Sequence, residues 1–185
     1  MASGNQTVQH PNTLLTYGLA DEKRRALLLG CVSLATAAEQ RAALAAQGKT
    51  VVLTNGHFDL LHVGHLDYLE KARALGDALI VAVNNDPATT QLKGNGRPIV
   101  PAAERARLIA ALRPVTLCVI FDGATAREVV ALLKPDIYVK GGDYAHKPLP
   151  ERATVESYGG TVKLIDYLPN HSTTALIARV QALPK

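Results

Sequence analysis

Two histidines three residues apart, His62 and His65, close the run Asn55-Gly-His-Phe-Asp-Leu-Leu-His62-Val-Gly-His65, which also carries two glycines and an aspartate. Imidazoles spaced i, i+3 share one face of a helix. At a helix entrance that face meets unpaired backbone N–H groups and the positive end of the helix dipole, so the combination suits an anion, and a polyphosphate above all. Gly56 allows the backbone to approach a ligand, and Gly64 removes a Cβ at the helix entrance. Zinc is the competing chemistry, but H-x-x-H with one nearby acid lacks the further Cys or His ligands of a zinc site. Asp59 could cap the loop, fix a histidine tautomer or stand near a metal, and the run leaves all three open. His10, His146 and His171 fall outside any such pattern and read as structural or surface groups.

The elements that must position this run can be read around it. Residues 49–54 (KTVVLT) form a β-branched strand pattern, and residues 66–75 carry apolar side chains at helical spacing, which places the imidazoles at a strand-to-helix junction, both facing one anion if the helix begins near Val63. Further short apolar runs follow at 78–83, 115–121, 136–139 and 161–165. Helical patterns separate them at 86–92, 102–112, 125–133, 150–158 and 173–183. Strands alternating with helices imply an α/β, Rossmann-like open parallel five-stranded sheet with helices on both faces. Ligands of such sheets bind beyond the carboxyl ends of the strands, where residues 55–65 and 140–144 would both lie. Gly76 reads as the C-cap glycine of the first of these helices, and Pro101 and Asp77 as punctuation before the next helix and strand. Lys93, flanked by Gly94 and Gly96, is placed to fold a cation over a ligand as a mobile lid. Ser33 caps an alanine-rich helix over 33–47 with Gly48 past its end, and the domain runs over 31–185 with its core at 49–183. Residues 1–30 form a poorly patterned extension in which 21–29 could make two helical turns.

The pattern Gly56-His-Phe58-Asp59-Leu-Leu-His62-Val-Gly64-His65 resembles the signature of the cytidylyltransferase-like nucleotidyltransferases. In order, Leu92-Lys93-Gly94, Gly96-Arg97-Pro98, Glu104-Arg105, the run from Leu133 through Lys140-Gly-Gly-Asp143-Tyr144, Tyr158-Gly-Gly and Ser172-Thr173-Thr174 are similar to the adenylyltransferases acting on D-glycero-β-D-manno-heptose 1-phosphate, which activate heptoses for lipopolysaccharide core. The resemblance covers about residues 33–183. It implies that His62 and His65 contact nucleotide phosphates and stabilise the charge developed in transfer. Asn55, Gly56, His57, Phe58, Asp59 and Gly64 would shape the nucleotide loop. Lys93 would hold the acceptor phosphate or the pyrophosphate, with Arg105 as second catalytic cation, and Arg97 and Tyr144 would help bind the acceptor. Lys140, Gly141, Gly142 and Asp143 would lie against base and ribose, and Ser172, Thr173 and Thr174 would bind phosphate oxygens. A homodimer is also implied.

Two departures stand out. Position 57, commonly cysteine or threonine in the relatives, is histidine, and the segment after Asp143 (YAHKPLPER) is more basic and proline-rich than in the heptose enzymes. Cytidylyltransferases of the superfamily usually carry Arg-x-x-Gly-Ile before Ser-Thr-Thr, whereas this chain reads Leu168-Pro-Asn-His171, which favours adenine over cytosine. A cytidylyltransferase acting on glycerol phosphate or another polyol phosphate is the alternative.

The implied reaction needs little beyond alignment and charge neutralisation. A sugar phosphate is already ionised at neutral pH, so no strong base and no covalent intermediate are required. Magnesium, which prefers substrate phosphates to an all-protein cage, would bridge the phosphates, with Asp59 as candidate outer ligand. The expected partners are a nucleoside triphosphate and a sugar phosphate.

Composition agrees with a globular chain: of 185 residues, 48% are hydrophobic and 19% charged, and no apolar run reaches membrane-spanning length. The net charge of +4 and pI near 9.1 suit phosphate-rich substrates. The basic residues are dispersed and aromatics make up only 4%, which argues against a nucleic-acid stacking platform. Lys23-Arg-Arg ahead of Cys31 is reminiscent of a lipoprotein signal, but five residues between Arg25 and Cys31 are too few for its apolar region, so a cytoplasmic location is expected. Cys31 and Cys118 form no metal pattern and read as distant, reduced, buried thiols.

Overall fold

The computed structural model describes residues 31–184, so the expectations for 1–30 lie outside the described residues. Thirteen-residue α1 (Leu34–Ala46) starts where the Ser33 hydroxyl accepts the Thr36 N–H at 3.1 Å, and the chain leaves it through Gly48 at φ +70°. There follow β1 (Val51–Gly56), α2 (Val63–Arg73), β2 (Ala78–Asn84), α3 (Asp86–Lys93), α4 (Ala102–Ala110), β3 (Leu117–Phe121), α5 (Arg127–Leu133) and β4 (Ile137–Gly141). A 3₁₀ turn (Gly142–His146), α6 (Arg152–Ser157), β5 (Thr161–Ile165) and α7 (Thr173–Gln181) complete the order. All five strands are parallel, in the order β3-β2-β1-β4-β5.

The strand sequences explain the layering. Alternate residues of β1 face opposite sides: Val51 and Leu53 join Ala37 of α1, Val129, Val130 and Leu133 of α5, and Val155 of α6 in one core. Val52, with Leu79, Val81 and Val83 of β2, packs on Leu69 and Ala72 of α2 and on Ala106 and Ile109 of α4 in the other. A sheet covered on both faces needs near-continuous apolar strands, and every residue of β2 is buried. The order reverses between β1 and β4, which opens a crevice at the carboxyl ends of these two strands.

Three readings need correction. β1 begins two residues later than the apolar run suggested and continues through polar Asn55 and Gly56. Thr50 is drawn into the turn, where its N–H donates to Asp77 Oδ2 at 2.8 Å, while the ladder to β2 extends from Val51 opposite Ala78 to Gly56 opposite Val83. Gly76 is not a left-handed cap: α2 closes on Ala74, and a Cβ at Gly76 would stand 2.8 Å from the Thr50 carbonyl oxygen, so close packing of the turn on β1 requires the glycine. Finally, Cys31 and Cys118 are neighbours, joined by a parallel bridge on the outer edge of β3 in which the Val32 N–H donates to the Cys118 carbonyl at 2.9 Å. Both thiols are free, and Cys31 is only half-buried.

Candidate active site

A cleft of about 480 Å³ opens at the carboxyl ends of β1, β2 and β4. His62 is the N-cap residue of α2 and His65 lies in its first turn, three residues earlier than the apolar spacing alone would start the helix. Their rings stack with centroids 3.9 Å apart, and both line the cleft, so the structure brings the pair together over one helix terminus. His65 Nδ1 accepts the His62 backbone N–H at 3.4 Å, which assigns the proton to Nε2 and makes His65 a donor. Burial, with His62 alongside, pulls the His65 pKa down to about 4; burial and His171 also lower that of His62. At neutral pH His65 therefore acts as a neutral donor. His62 Nδ1 is buried without a protein partner among the described residues.

The loop before these rings is fixed by packing. Phe58 takes a left-handed backbone (φ +48°), which is rare for an aromatic residue, and folds its ring back so that a Cβ on Gly56 would meet it at 2.9 Å. Gly56 thus makes room for Phe58 and also lines the cleft, where its backbone is open to a ligand. The Phe58 ring then meets the edge of His65 at 5.4 Å between centroids. Gly64 serves as expected, since a Cβ there would stand 2.9 Å from His171 Cβ and 3.0 Å from His62 Nδ1.

Asp59 and Arg105 are corrected together. Asp59 is buried, with Oδ1 accepting the N–H groups of Ile99 (2.7 Å) and Val100 (3.0 Å) and Oδ2 taking Arg97 Nε at 2.5 Å. These donors hold its pKa below the usual carboxylate range against the opposing effect of burial. A carboxylate so engaged clamps the loop over Arg97 to Val100 and is not available as a metal ligand. Arg97 lines the cleft from this clamp. Arg105 has no exposed surface at all: it donates from Nε to the Val100 carbonyl (2.8 Å), from one terminal nitrogen to the His57 carbonyl, and from the other to the Asn84 carbonyl (3.0 Å) and Asp86 Oδ1 (2.7 Å). The guanidinium braces the ends of β1 and β2 from beneath and does not line the cleft, so it cannot be the second cation on the phosphates.

At the end of β4, Lys140 is buried apart from its reach into the cleft, and burial lowers its pKa, partly offset by Glu151 and Asp143. Its ammonium donates to Asn55 Oδ1 at 3.1 Å and lies 4.6 Å from the centre of the Tyr144 ring, while the Tyr138 hydroxyl donates to the same Asn55 oxygen at 2.6 Å. Asn55, Lys140, Gly141, Asp143 and Tyr144 all line the cleft. Gly142 does not: a Cβ there would collide with Asp166 Oδ1, so its smallness serves the packing of the following loop. Ser172, Thr173 and Thr174 border the cleft at the start of α7, where the Ser172 hydroxyl accepts the Ala175 N–H at 3.1 Å. Lys93 closes α3 at the rim, exposed, with Gly94 and Gly96 at φ +89° and +83° beside it.

Several cleft residues carried no sequence signal. His171, read as a surface group, borders the cleft, as do Glu151 and Tyr167. Thr89, buried in α3, holds His57: its Oγ1 lies 2.9 Å from His57 Nδ1. Burial first, then Lys93, Arg105 and Lys140, pull the His57 pKa down to about 4.

Two stacked imidazoles on a helix terminus, one of them a neutral donor, with lysines on facing elements and no acid free in the loop after β1, are suited to holding a phosphoryl-bearing group, and they sit at the reversal point of a parallel sheet. The chain belongs to the cytidylyltransferase-like family, which matches residues 53–179. It is 51% identical over 134 residues to the bifunctional protein HldE of Syntrophotalea carbinolica, covering 72% of this chain and 27% of that one. The HldE of Geobacter metallireducens is 46% identical over 135 residues, covering 73% and 28%. This chain therefore spans under a third of the length of these curated relatives. The crystal structure of the lipopolysaccharide core biosynthesis protein from Thermoplasma volcanium superposes with a TM-score of 0.55 at 30% identity over 65% of this chain and 98% of that one.

Proposed function

We propose that this chain transfers AMP from ATP to a sugar 1-phosphate, D-glycero-β-D-manno-heptose 1-phosphate, releasing pyrophosphate. A phosphate oxygen of the sugar attacks the α-phosphorus of ATP, the α–β phosphoanhydride bond breaks, and pyrophosphate departs with its electron pair. The observation that carries this reading is the His62–His65 stack on the α2 terminus within a cleft that Lys93 and Lys140 also border. The helix N–H groups and the His65 Nε2–H stabilise charge on the α-phosphate as it goes through the transition state. Lys93, on a rim flanked by glycines, folds onto the acceptor phosphate or the leaving pyrophosphate, and Lys140 with Tyr144 and Asn55 positions the sugar or base. The similarity to HldE and to a lipopolysaccharide core biosynthesis protein supports the heptose acceptor.

Among the described residues no group of three His, Cys, Asp or Glu side chains could hold a metal, and Asp59 is engaged. Magnesium, which prefers substrate phosphates to an all-protein cage, enters as part of the substrate, carried on the triphosphate. Among the described residues no helix is long and apolar enough to cross a membrane. Pyrophosphate release measured with ATP and CTP against heptose 1-phosphate, other sugar 1-phosphates and glycerol 3-phosphate tests the proposal. Release confined to CTP with a polyol phosphate, or none with any acceptor, overturns it.

A further inference from the structure

His57 and Thr89 build a hydrogen-bond acceptor into the cleft that Lys93 and Lys140 also line. The Thr89 hydroxyl has one proton, and it donates that proton to the Asn85 carbonyl at 2.8 Å. Toward His57 Nδ1, 2.9 Å away, it can therefore only accept. His57 is thus the Nδ1–H tautomer, and its Nε2 carries a free lone pair. That nitrogen has no partner among the described residues and is not sealed off from solvent, on a half-buried residue that lines the cleft. Burial first, and then the cations Lys93, Arg105 and Lys140, oppose a further positive charge on the ring, so protonation to a donor is suppressed. His65 is the mirror case, with its proton on Nε2, so two neighbouring histidines present opposite hydrogen-bonding groups to one cleft.

The chemistry of the ligand follows. An ionised phosphate offers no proton and would meet the His57 lone pair with repulsion. A hydroxyl donates to it.

We propose that His57 Nε2 accepts a hydrogen bond from a hydroxyl of a bound sugar moiety, which makes His57 a specificity-determining residue and Thr89 the residue that positions it. The hydroxyl belongs to the acceptor sugar or to the ribose of the nucleotide. The inference rests on the transfer reaction proposed above, because that reaction is what brings a sugar beside the phosphates. Such an acceptor discriminates once the ligand covers it, since a bound substrate lacking the hydroxyl shields Nε2 from water and leaves it unpaired.

The test has two readouts. Imidazole ¹⁵N NMR of the whole chain, assigned with His57→Gln, should show His57 protonated at Nδ1, with the Nε2 resonance moving when ATP or the sugar phosphate is added. Thr89→Val should weaken that tautomer preference without unfolding the chain, because valine matches the shape of threonine. In steady-state kinetics, His57→Phe should raise the KM of one sugar-bearing substrate about tenfold with kcat little changed, and His57→Gln, whose amide oxygen can stand near the Nε2 position, should recover most of the loss. A rise for the acceptor assigns its hydroxyl; a rise for ATP, with deoxy-ATP binding wild type and His57→Phe equally, assigns the ribose. A His57 spectrum protonated at Nε2, or both KM values unchanged in His57→Phe, overturns the inference. Wild type without transfer activity would sink the proposed reaction instead. The Nε2 resonance would then decide this inference by its response, or lack of response, to the sugar ligands.

Discussion

Arg105→Lys separates a brace from a catalytic cation, because it keeps the charge and removes the fork. The native guanidinium donates to three carbonyls, those of His57, Asn84 and Val100, and to the Asp86 carboxylate, with no exposed surface of its own. A lysine ammonium is a compact point charge that cannot span four acceptors lying on three different segments. At least two buried carbonyls are left unpaired. Hydrogen bonds to charged groups contribute about 1.5–3 kcal/mol each, so the loss should be about 3–6 kcal/mol, overlapping the roughly 3–5 kcal/mol for breaking a buried ionic contact. In a chain of this size 1 kcal/mol moves the melting temperature by roughly 2–4 °C, so the variant should melt on the order of 10 °C lower. Thermal melts and urea midpoints measure this directly. Kinetics taken well below the new transition should show a raised KM, because the His57 carbonyl no longer anchors the loop. An unchanged melting temperature with a collapsed kcat would put the guanidinium on the substrate and refute the structural reading.

Three further outcomes follow from the same geometry. His65→Ala should lower kcat by roughly two orders of magnitude with a modest change in stability, since it removes a preorganised donor; unchanged turnover would show that the imidazole is a bystander. Asp59→Asn keeps an acceptor for the Ile99 and Val100 N–H groups but loses the ionic hold on Arg97, so it should raise the KM of the acceptor and leave the magnesium dependence of turnover where it was; a displaced magnesium titration would restore Asp59 as a metal ligand. Stability should fall with acid. His57 and His65 have folded pKa values of about 4 against 6.5 when unfolded, so between these values the unfolded chain binds more protons and stability drops as pH falls from about 6.5 to 4. A double His57→Gln, His65→Gln variant should show a flatter melting profile over that window, and an identical slope would contradict the assignment.

Much of this molecule was legible in the sequence because its signals are local. The five strands and the two-faced sheet follow from short apolar runs alternating with helical spacing, and β5 matches the expected 161–165 to the residue. The His62–His65 pair could be placed on a helix terminus because i, i+3 spacing and Gly64 act within one turn. What failed depends on contacts distant in the chain. Arg105 sits in a helix of alternating charged residues, and nothing in residues 102–110 reveals that it points inward to carbonyls at 57, 84 and 100. Asp59 looks free until residues 97–100 fold over it. Gly76 reads as a cap because that is a glycine's common local use after a helix, yet it is packing against Thr50 that requires it, and at Gly56 the packing of Phe58 adds a demand that the local run does not reveal. Thr89 carries no motif, yet it fixes the proton on His57 across 32 positions.

The placement of charge implies a particular pH profile. Transfer between two polyanions, as proposed, demands positive potential, yet His57 and His65 at the loop after β1 are neutral, and the cations lining the cleft are Lys140, Arg97 and, at the rim, Lys93. A neutral imidazole donates a directed hydrogen bond without the desolvation cost of a buried cation, and in the proposed reaction the remaining charge would come with the divalent cation of the nucleotide. His65 should therefore not titrate near pH 6.5 in the free enzyme. Any acid limb in kcat/KM for the sugar phosphate belongs to the second ionisation of that phosphate, near pH 6 for a monoester, and kcat should stay flat from about pH 6.5 to 8. An acceptor with a more acidic phosphate should carry the limb downward with it. A limb that stays fixed while the acceptor is changed, and vanishes in His65→Gln, would mean that the imidazolium is the working form.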